Sequence, residues 1–377
     1  MEPTGRQYNV ISADSHVVEP PDLWEKWLES KYQDKAPKLV KDEEGGDAWL
    51  YDPKGHPAPL GLVTCVGTPF DKMKWPGSRY GHEIHPACYE GPARLEVLDV
   101  DGVDAEILYP PQRAVMTFMA YEDSDLQLAG LHAYNRWLQE GFCSADPDRL
   151  IGAYQLPNLG IETSVAELRR ARDLGFRSAV IAMWPTGNPR LSRDDDPFWA
   201  AAEEMGIPVS IHFKLASQTS GHRHAAGARG AVGAYSGMVD MPLLMMDLIF
   251  DGVFDRFPDL KVVGVETGVG WIPHYMEMLD DRYWRNRVWT QINLKKVPSQ
   301  YFKDNWLATF ISSTDRIGVQ IRHAVGIDSM AWSTDFPHHG NDWPYSRKVI
   351  DEMFLNVPQD ERDKIVCRNA AQIYGLI

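Results

Sequence analysis

Residues 178–213 read SAVIAMWPTGNPRLSRDDDPFWAAAEEMGIPVSIHF, and this stretch decides the fold. A short apolar run, Ser178–Met183, gives way to a loop rich in Pro, Gly and Asp. A helical stretch follows at Pro197–Met205, and a second apolar run, Val209–Phe213, carries the polar His212 at its end. Strand, helix and strand in that order make a βα unit, whose two strands lie parallel because the helix returns the chain to the starting edge.

The alternation extends in both directions. Strands are expected near Val10–Ala13, Ala105–Tyr109, Ile151–Gln155, Ser178–Met183, Val209–Phe213, Val262–Glu266, Leu307–Ile311 and Met330–Thr334. Helices are expected at Asp123–Ala145, Thr163–Leu174, Pro197–Met205, Met238–Arg256, Trp271–Arg287, Thr314–Val325, Ser346–Phe354 and Asp360–Tyr374. Eight such strands fit a closed barrel, and counting alone leaves an open doubly wound sheet as the alternative. No GxGxxG follows the first strand, which removes the main support for a dinucleotide-binding sheet. The expected architecture is α/β, one distorted (β/α)8 TIM barrel spanning residues 1–377. Two segments break its rhythm. Pro20–Pro92, rich in Pro, Gly and Trp, reads as an insertion after strand one, with no long helical period beyond the first turns near Trp24. Lys214–Gly237, containing GHRHAAGARGAVGAYSG, reads as a mobile loop after strand five.

Composition narrows the function. With 377 residues and 44% hydrophobic content, the chain can bury a full-sized core. A net charge of −15 without any block of Lys or Arg makes nucleic acid and anionic membrane poor partners. The N-terminal MEPTGRQYNV lacks the features of a leader, and no apolar run is long enough to span a bilayer, so a soluble, cytoplasmic protein is expected. Cys65, Cys88, Cys143 and Cys367 lie far apart without CxxC spacing, which argues for reduced thiols and against a disulfide framework or cysteine zinc knuckle.

Three strand ends carry chemistry. In Asp14-Ser15-His16 an extended chain points both functional side chains to one face, so that both can grip one cation. His212 ends a run apolar enough to be a buried strand, and Asp335 stands where the strand in Ala-Trp-Ser-Thr-Asp gives way to a Pro-containing loop. Each has an ordinary alternative, as a turn aspartate or a satisfied core histidine. Together they fall at the C-terminal ends of strands one, five and eight, where barrel enzymes build their active sites.

On these residues the chain resembles the amidohydrolase superfamily, in the amidohydrolase-related branch that includes nonoxidative decarboxylases. Asp14 and His16 within Ala-Asp-Ser-His-Val-Val-Glu-Pro match the branch's strand-one pair, His212 its strand-five histidine, and Asp335 its strand-eight aspartate, which usually combines metal ligation with proton transfer. Arg368-Asn369-Ala370-Ala371 before Tyr374-Gly375-Leu376 is similar to the family's ending. There is one departure. Many relatives carry a histidine at the end of strand six, whereas this chain has Glu266. Glu266 and His338 are candidates for a second cation, the alternative being a hydrogen-bond acceptor and a pocket wall.

The expected cofactor is a divalent metal, one ion or two, with zinc first and iron or manganese as alternatives. Its ligands would come from Asp14, His16, His212, Glu266, Asp335 and His338, with Asp335, Glu266 and His338 also taking part in catalysis. The first expected reaction is hydrolysis of an acyl bond, as amide, ester or thioester, in a small apolar or aromatic substrate by a metal-activated water. Nonoxidative decarboxylation of an aromatic or unsaturated acid is the alternative that the resemblance implies, and a noncatalytic metal- or ligand-binding barrel comes third. A homodimer is implied only by the resemblance, with Pro20–Pro92 as the place to seek its contact. His222 and His224, the His82, His85 and Cys88 group, and His274 are weaker candidates.

Overall fold

The frame is eight parallel strands paired in sequence order: β1 (Ile11–His16), β2 (Ala105–Tyr109), β3 (Leu150–Gln155), β4 (Ser178–Ile181), β5 (Val209–His212), β6 (Val262–Val265), β7 (Trp306–Ile311) and β8 (Met330–Ser333). All eight match expected runs. The computed structural model describes residues 2–212, 215, 240–312 and 314–377, so the expected loop Lys214–Gly237, with His222 and His224, lies outside the described residues apart from Leu215.

β1 to β8 are buried almost throughout, which is why most of them read as mainly apolar runs without a regular polar alternation. β8 returns to β1 through two backbone bonds. Asp335 N donates to Asp14 O at 3.0 Å, and His16 N donates to Phe336 O at 2.6 Å. The hydroxyls of Ser12, Ser15 and Thr334 meet at 3.0–3.3 Å beside them. The result is a nearly closed, distorted (β/α)8 barrel, fastened at its seam partly by side chains.

Helices lie between the strands. Asp196–Met205, between β4 and β5, is preceded by a Ser192/Asp195 capping box and stopped by Gly206 at φ 61°. Its Phe198, Trp199 and Ala202 are wholly buried, each large ring contributing about 2–3 kcal/mol of apolar burial. Helix Ser124–Arg136 is capped by Asp123, whose Oδ1 accepts from Leu126 N at 3.1 Å. It runs on into a π turn at Trp137–Phe142, and the expected C-terminal helix is likewise divided by a π turn at Lys364–Arg368.

Among the described residues three α-helices escape the sequence reading: Gly91–Asp101, Gln112–Met119 and Pro298–Asn305. So does regular structure in the insertion, where Lys38–Lys41, Asp47–Leu50 and Ala58–Pro59 form a small antiparallel sheet. Its strands are too short to show a period. The turn between the first two was a usable signal: Asp42 Oδ1 accepts from Glu44 N and Gly46 N, and Gly45 takes φ 81°. The sheet is tied to the chain beyond β1 by Tyr51, whose hydroxyl donates to Glu19 Oε1 at 2.6 Å.

Among the described residues no helix is long and apolar enough to cross a membrane. All four cysteines are free and buried.

Candidate metal centre

Each strand end delivers its polar residue to one place. On β1 the pairing with β2 slips between Ser12 and Ser15, a bulge of the kind that re-aims side chains beside active sites. Asp14 and His16 still converge, with Asp14 Oδ1 3.5 Å from His16 Nε2. His212 Nε2, from β5, stands 3.1 Å from His16 Nε2 and 3.6 Å from Asp14 Oδ1. Asp335, just beyond β8, puts Oδ1 3.4 Å from His16 Nε2. His338 Nδ1 lies 3.0 Å from the same Asp335 oxygen, and its ring stacks on His16 at 3.9 Å between centroids.

Two groups with metal-ligand spacing result, Asp14/His16/His212 and His16/Asp335/His338, sharing His16. Glu266 belongs to neither. Its Oε2 is 3.8 Å from His212 Nδ1, the ring nitrogen on the far side from His16. A quarter of the Glu266 side chain is open to solvent, whereas Asp14, His16 and Asp335 are shut away.

The backbone at the two later carboxylates is unusual. Glu266 and Asp335 take φ 55° and 56°, left-handed values that cost a non-glycine residue roughly 1–3 kcal/mol. Neighbouring groups hold them there. Glu266 N donates to Thr309 Oγ1 at 2.9 Å, and Val269 N and Gly270 N both donate to Asp315 Oδ1. Asp335 is held by the seam bond to Asp14 and by His338 N, which donates to its carbonyl at 2.9 Å.

Electrostatics in the centre follow from burial and crowding. Burial, and then His338, pull His16 down to about 4. Burial works against ionised Asp335, yet His338 and His16 hold its carboxyl well below the usual range. Burial and the neighbouring Asp335 charge push Glu266 up to about 8. His212 and His338 are raised despite burial, by Asp14 and Asp335 respectively.

The donor set fits a divalent cation. Both oxygens of Asp14 are buried without a hydrogen-bond partner among the described residues, and Oδ1 of Asp335 faces only the imidazoles of His338 and His16. Such oxygens are costly to bury unless something positive stands between them. Carboxylates with imidazoles are the ligand types of zinc, manganese and iron(II).

Other expected residues fall elsewhere. Cys88 is wholly buried and His85 Nδ1 accepts from Ala87 N, so that the His82, His85 and Cys88 spacing makes no metal group among the described residues. His274 sits on helix Ile272–Thr290 against Tyr275. Trp184 and Trp332 are core residues. The sequence reading missed Arg94, which is fully buried and donates to the His16 carbonyl at 2.5 Å. Its signal was a helix framed by Pro92 and Gly102, but nothing in the sequence marks a buried charge.

The amidohydrolase family model matches residues 69–376, a span that starts beyond Asp14 and His16. A gamma-resorcylate decarboxylase from a Polaromonas species is 26% identical over 300 residues, covering 75% of this chain and 86% of the relative. A 2-amino-3-carboxymuconate-6-semialdehyde decarboxylase from Dictyostelium discoideum is 23% identical, covering 79% and 80%. The crystal structure of a 5-carboxyvanillate decarboxylase from Novosphingobium aromaticivorans, complexed with manganese and 4-hydroxy-3-methoxy-5-nitrobenzoic acid, superposes with a TM-score of 0.69. That structure is 19% identical and the match covers 99% of this chain and 98% of the other. These relatives overturn the expectation of acyl-bond hydrolysis and of thioesterase activity, since both curated ones are decarboxylases. The physical reason for the error is plain. A carboxylate and imidazole cage serves either reaction, and Glu266 beside it is no sign of a metal-activated water.

Proposed function

The chain belongs to the amidohydrolase family, and from that premise we propose that it is a metal-dependent, nonoxidative decarboxylase of a hydroxylated aromatic carboxylic acid. The observation that carries this reading is the convergence of the unpartnered Asp14 oxygens and the Asp335 carboxylate with His16 and His212 at the barrel mouth, in a chain with decarboxylases as relatives.

One divalent cation is held by Asp14, His16, His212 and Asp335, with manganese the first choice because two carboxylates join two imidazoles and one relative's structure holds that ion. A cation held by these residues would supply positive charge for the substrate's carboxylate and for the ring's ionised hydroxyl. Glu266 stands on the Nδ1 side of His212, at 3.8 Å, and its charge favours a proton on that nitrogen, so that Nε2, the atom facing His16, is the one turned toward the cation. In this arrangement Glu266 and His338 serve a single-ion site, as the partner of His212 and of Asp335.

Asp335, ionised at rest, relays a proton taken from His338 to the ring carbon that bears the carboxylate. The carbon–carbon bond then breaks, its electron pair returns to the ring, and carbon dioxide leaves. The Asp335 proton is replenished along the 3.0 Å contact from His338 Nδ1.

The test is reconstitution. Chelated protein should release no carbon dioxide from dihydroxybenzoic or carboxyvanillic acids, and manganese should restore release. Equal turnover before and after chelation would remove the metal from the reaction.

A further inference from the structure

We propose that Arg94 is a positioning residue for the metal centre, fixing the spacing of its β1 and β8 ligands through a buried ion pair with Glu106. Arg94 lies on helix Gly91–Asp101 and is shut off from solvent, as is Glu106 on β2. Its guanidinium makes three charge-assisted contacts in different directions. Nε donates to Ala87 O at 2.6 Å, Nη1 to Glu106 Oε1 at 2.5 Å, and Nη2 to the carbonyl of His16 at 2.5 Å. One face lies over the Phe336 ring at 4.5 Å, directly after Asp335 in the chain.

The position of these contacts matters. Between β8 and β1 the barrel is joined by the two backbone bonds of Asp14, His16, Asp335 and Phe336, not by the regular ladder that joins its other neighbours. With His212 opposite on β5, three of the four ligands, Asp14, His16 and Asp335, therefore sit at the seam that lacks a regular ladder. Arg94 spans it, holding the His16 carbonyl on one side and the Phe336 ring on the other, while Glu106 fixes the guanidinium from β2. Only a planar fork reaches three acceptors at once, and a lysine ammonium in the same place would have to give up at least one.

A buried ion pair is weak evidence of stabilisation, because well-packed apolar residues of similar volume often serve as well or better. That property separates a positioning role from a scaffolding one. In Arg94→Met/Glu106→Leu both charges go together and volume is kept, so the core can stay stable while the His16 carbonyl loses its anchor.

The experiment titrates cobalt(II) into metal-free wild type, Arg94→Met/Glu106→Leu and Arg94→Lys, reading dissociation constant, visible absorption spectrum and thermal midpoint. The double variant should keep a midpoint close to wild type, bind cobalt about 10–100-fold more weakly, and show a shifted absorption band. Arg94→Lys should fall between the two. A folded double variant with wild-type affinity and spectrum would overturn the proposal. Should the double variant not fold, Arg94→Lys decides: weaker binding at an unchanged midpoint supports the role, and wild-type binding and spectrum overturn it. The inference rests on Asp14, His16, His212 and Asp335 holding a cation. Failure of the wild type itself to bind cobalt would refute that reading, while unaltered binding in the variants would refute only the role of Arg94.

Discussion

The Nε2 atoms of His16 and His212 face each other at 3.1 Å across the barrel, one on β1 and the other on β5. Two ring nitrogens this close cannot both point protons at each other. They share either one proton or one cation, and the unpartnered Asp14 oxygens beside them favour the cation.

Loss of either β1 ligand should therefore empty the site without unfolding the barrel. Asp14→Ala and His16→Ala are each expected to lower metal affinity by at least the ~10–100-fold seen on losing an outer partner. Elemental analysis of protein purified without added metal checks this, with circular dichroism to confirm the fold. Chelation of the wild type should lower the thermal midpoint, because a cation that binds only the folded chain stabilises it.

Glu266→Gln keeps the shape of the residue facing His212 Nδ1 and removes its charge. One cation per chain is expected in both wild type and variant, with affinity in the variant weaker by about tenfold. Two cations in the wild type falling to one in the variant would assign Glu266 as a ligand and contradict the single-ion arrangement.

Much of this centre was legible because the barrel strands are short, mainly apolar runs, several of which end on a polar residue that stands out. Asp14, His16, His212 and Asp335 could be placed at strand ends on that contrast, whereas Glu266 and His338 were singled out only through the family resemblance. The bulge between Ser12 and Ser15 was not legible, since an extra residue in a ladder leaves no mark on composition. Neither were the left-handed backbones of Glu266 and Asp335, which are imposed by Thr309, Asp315 and Asp14 from distant parts of the chain. Arg94 was hidden for the opposite reason. It lies in Gly91–Asp101, a helix with little amphipathic contrast that the sequence does not mark, and its burial depends on Glu106, Ala87 and His16 together. The reaction class was not written in the ligands at all.

Glu19 gives a pH prediction away from the ligands. Burial pushes its carboxyl up to about 7, with the Tyr51 hydroxyl acting in the opposite direction. A carboxyl whose folded value stands above its ordinary 4.5 binds its proton more tightly in the folded state. The associated stability is full below about pH 4.5 and is lost as pH rises through about 7. Glu19→Gln, neutral at every pH, should escape that loss. Denaturant unfolding should show the variant gaining about 2–3 kcal/mol relative to wild type between pH 5 and pH 8. Parallel pH profiles for the two proteins would contradict it.

Asp335→Asn removes the proton carrier and one charged ligand while keeping its size. Turnover is expected to fall by about 10²–10⁴-fold, the usual contribution of a positioned acid. Substrate binding followed by ring fluorescence should persist in the metal-loaded variant. A loss of turnover no larger than the loss of metal would reduce Asp335 to a ligand.

The most direct measurement is release of labelled carbon dioxide from carboxyl-labelled 2,6-dihydroxybenzoate and 5-carboxyvanillate by manganese-loaded protein, run beside a panel of aryl esters and thioesters. The account predicts labelled carbon dioxide from at least one phenolic acid, one equivalent for each aromatic product, abolished by chelation and by His16→Ala. Hydrolysis of an ester or thioester with no carbon dioxide from any aromatic acid would contradict it.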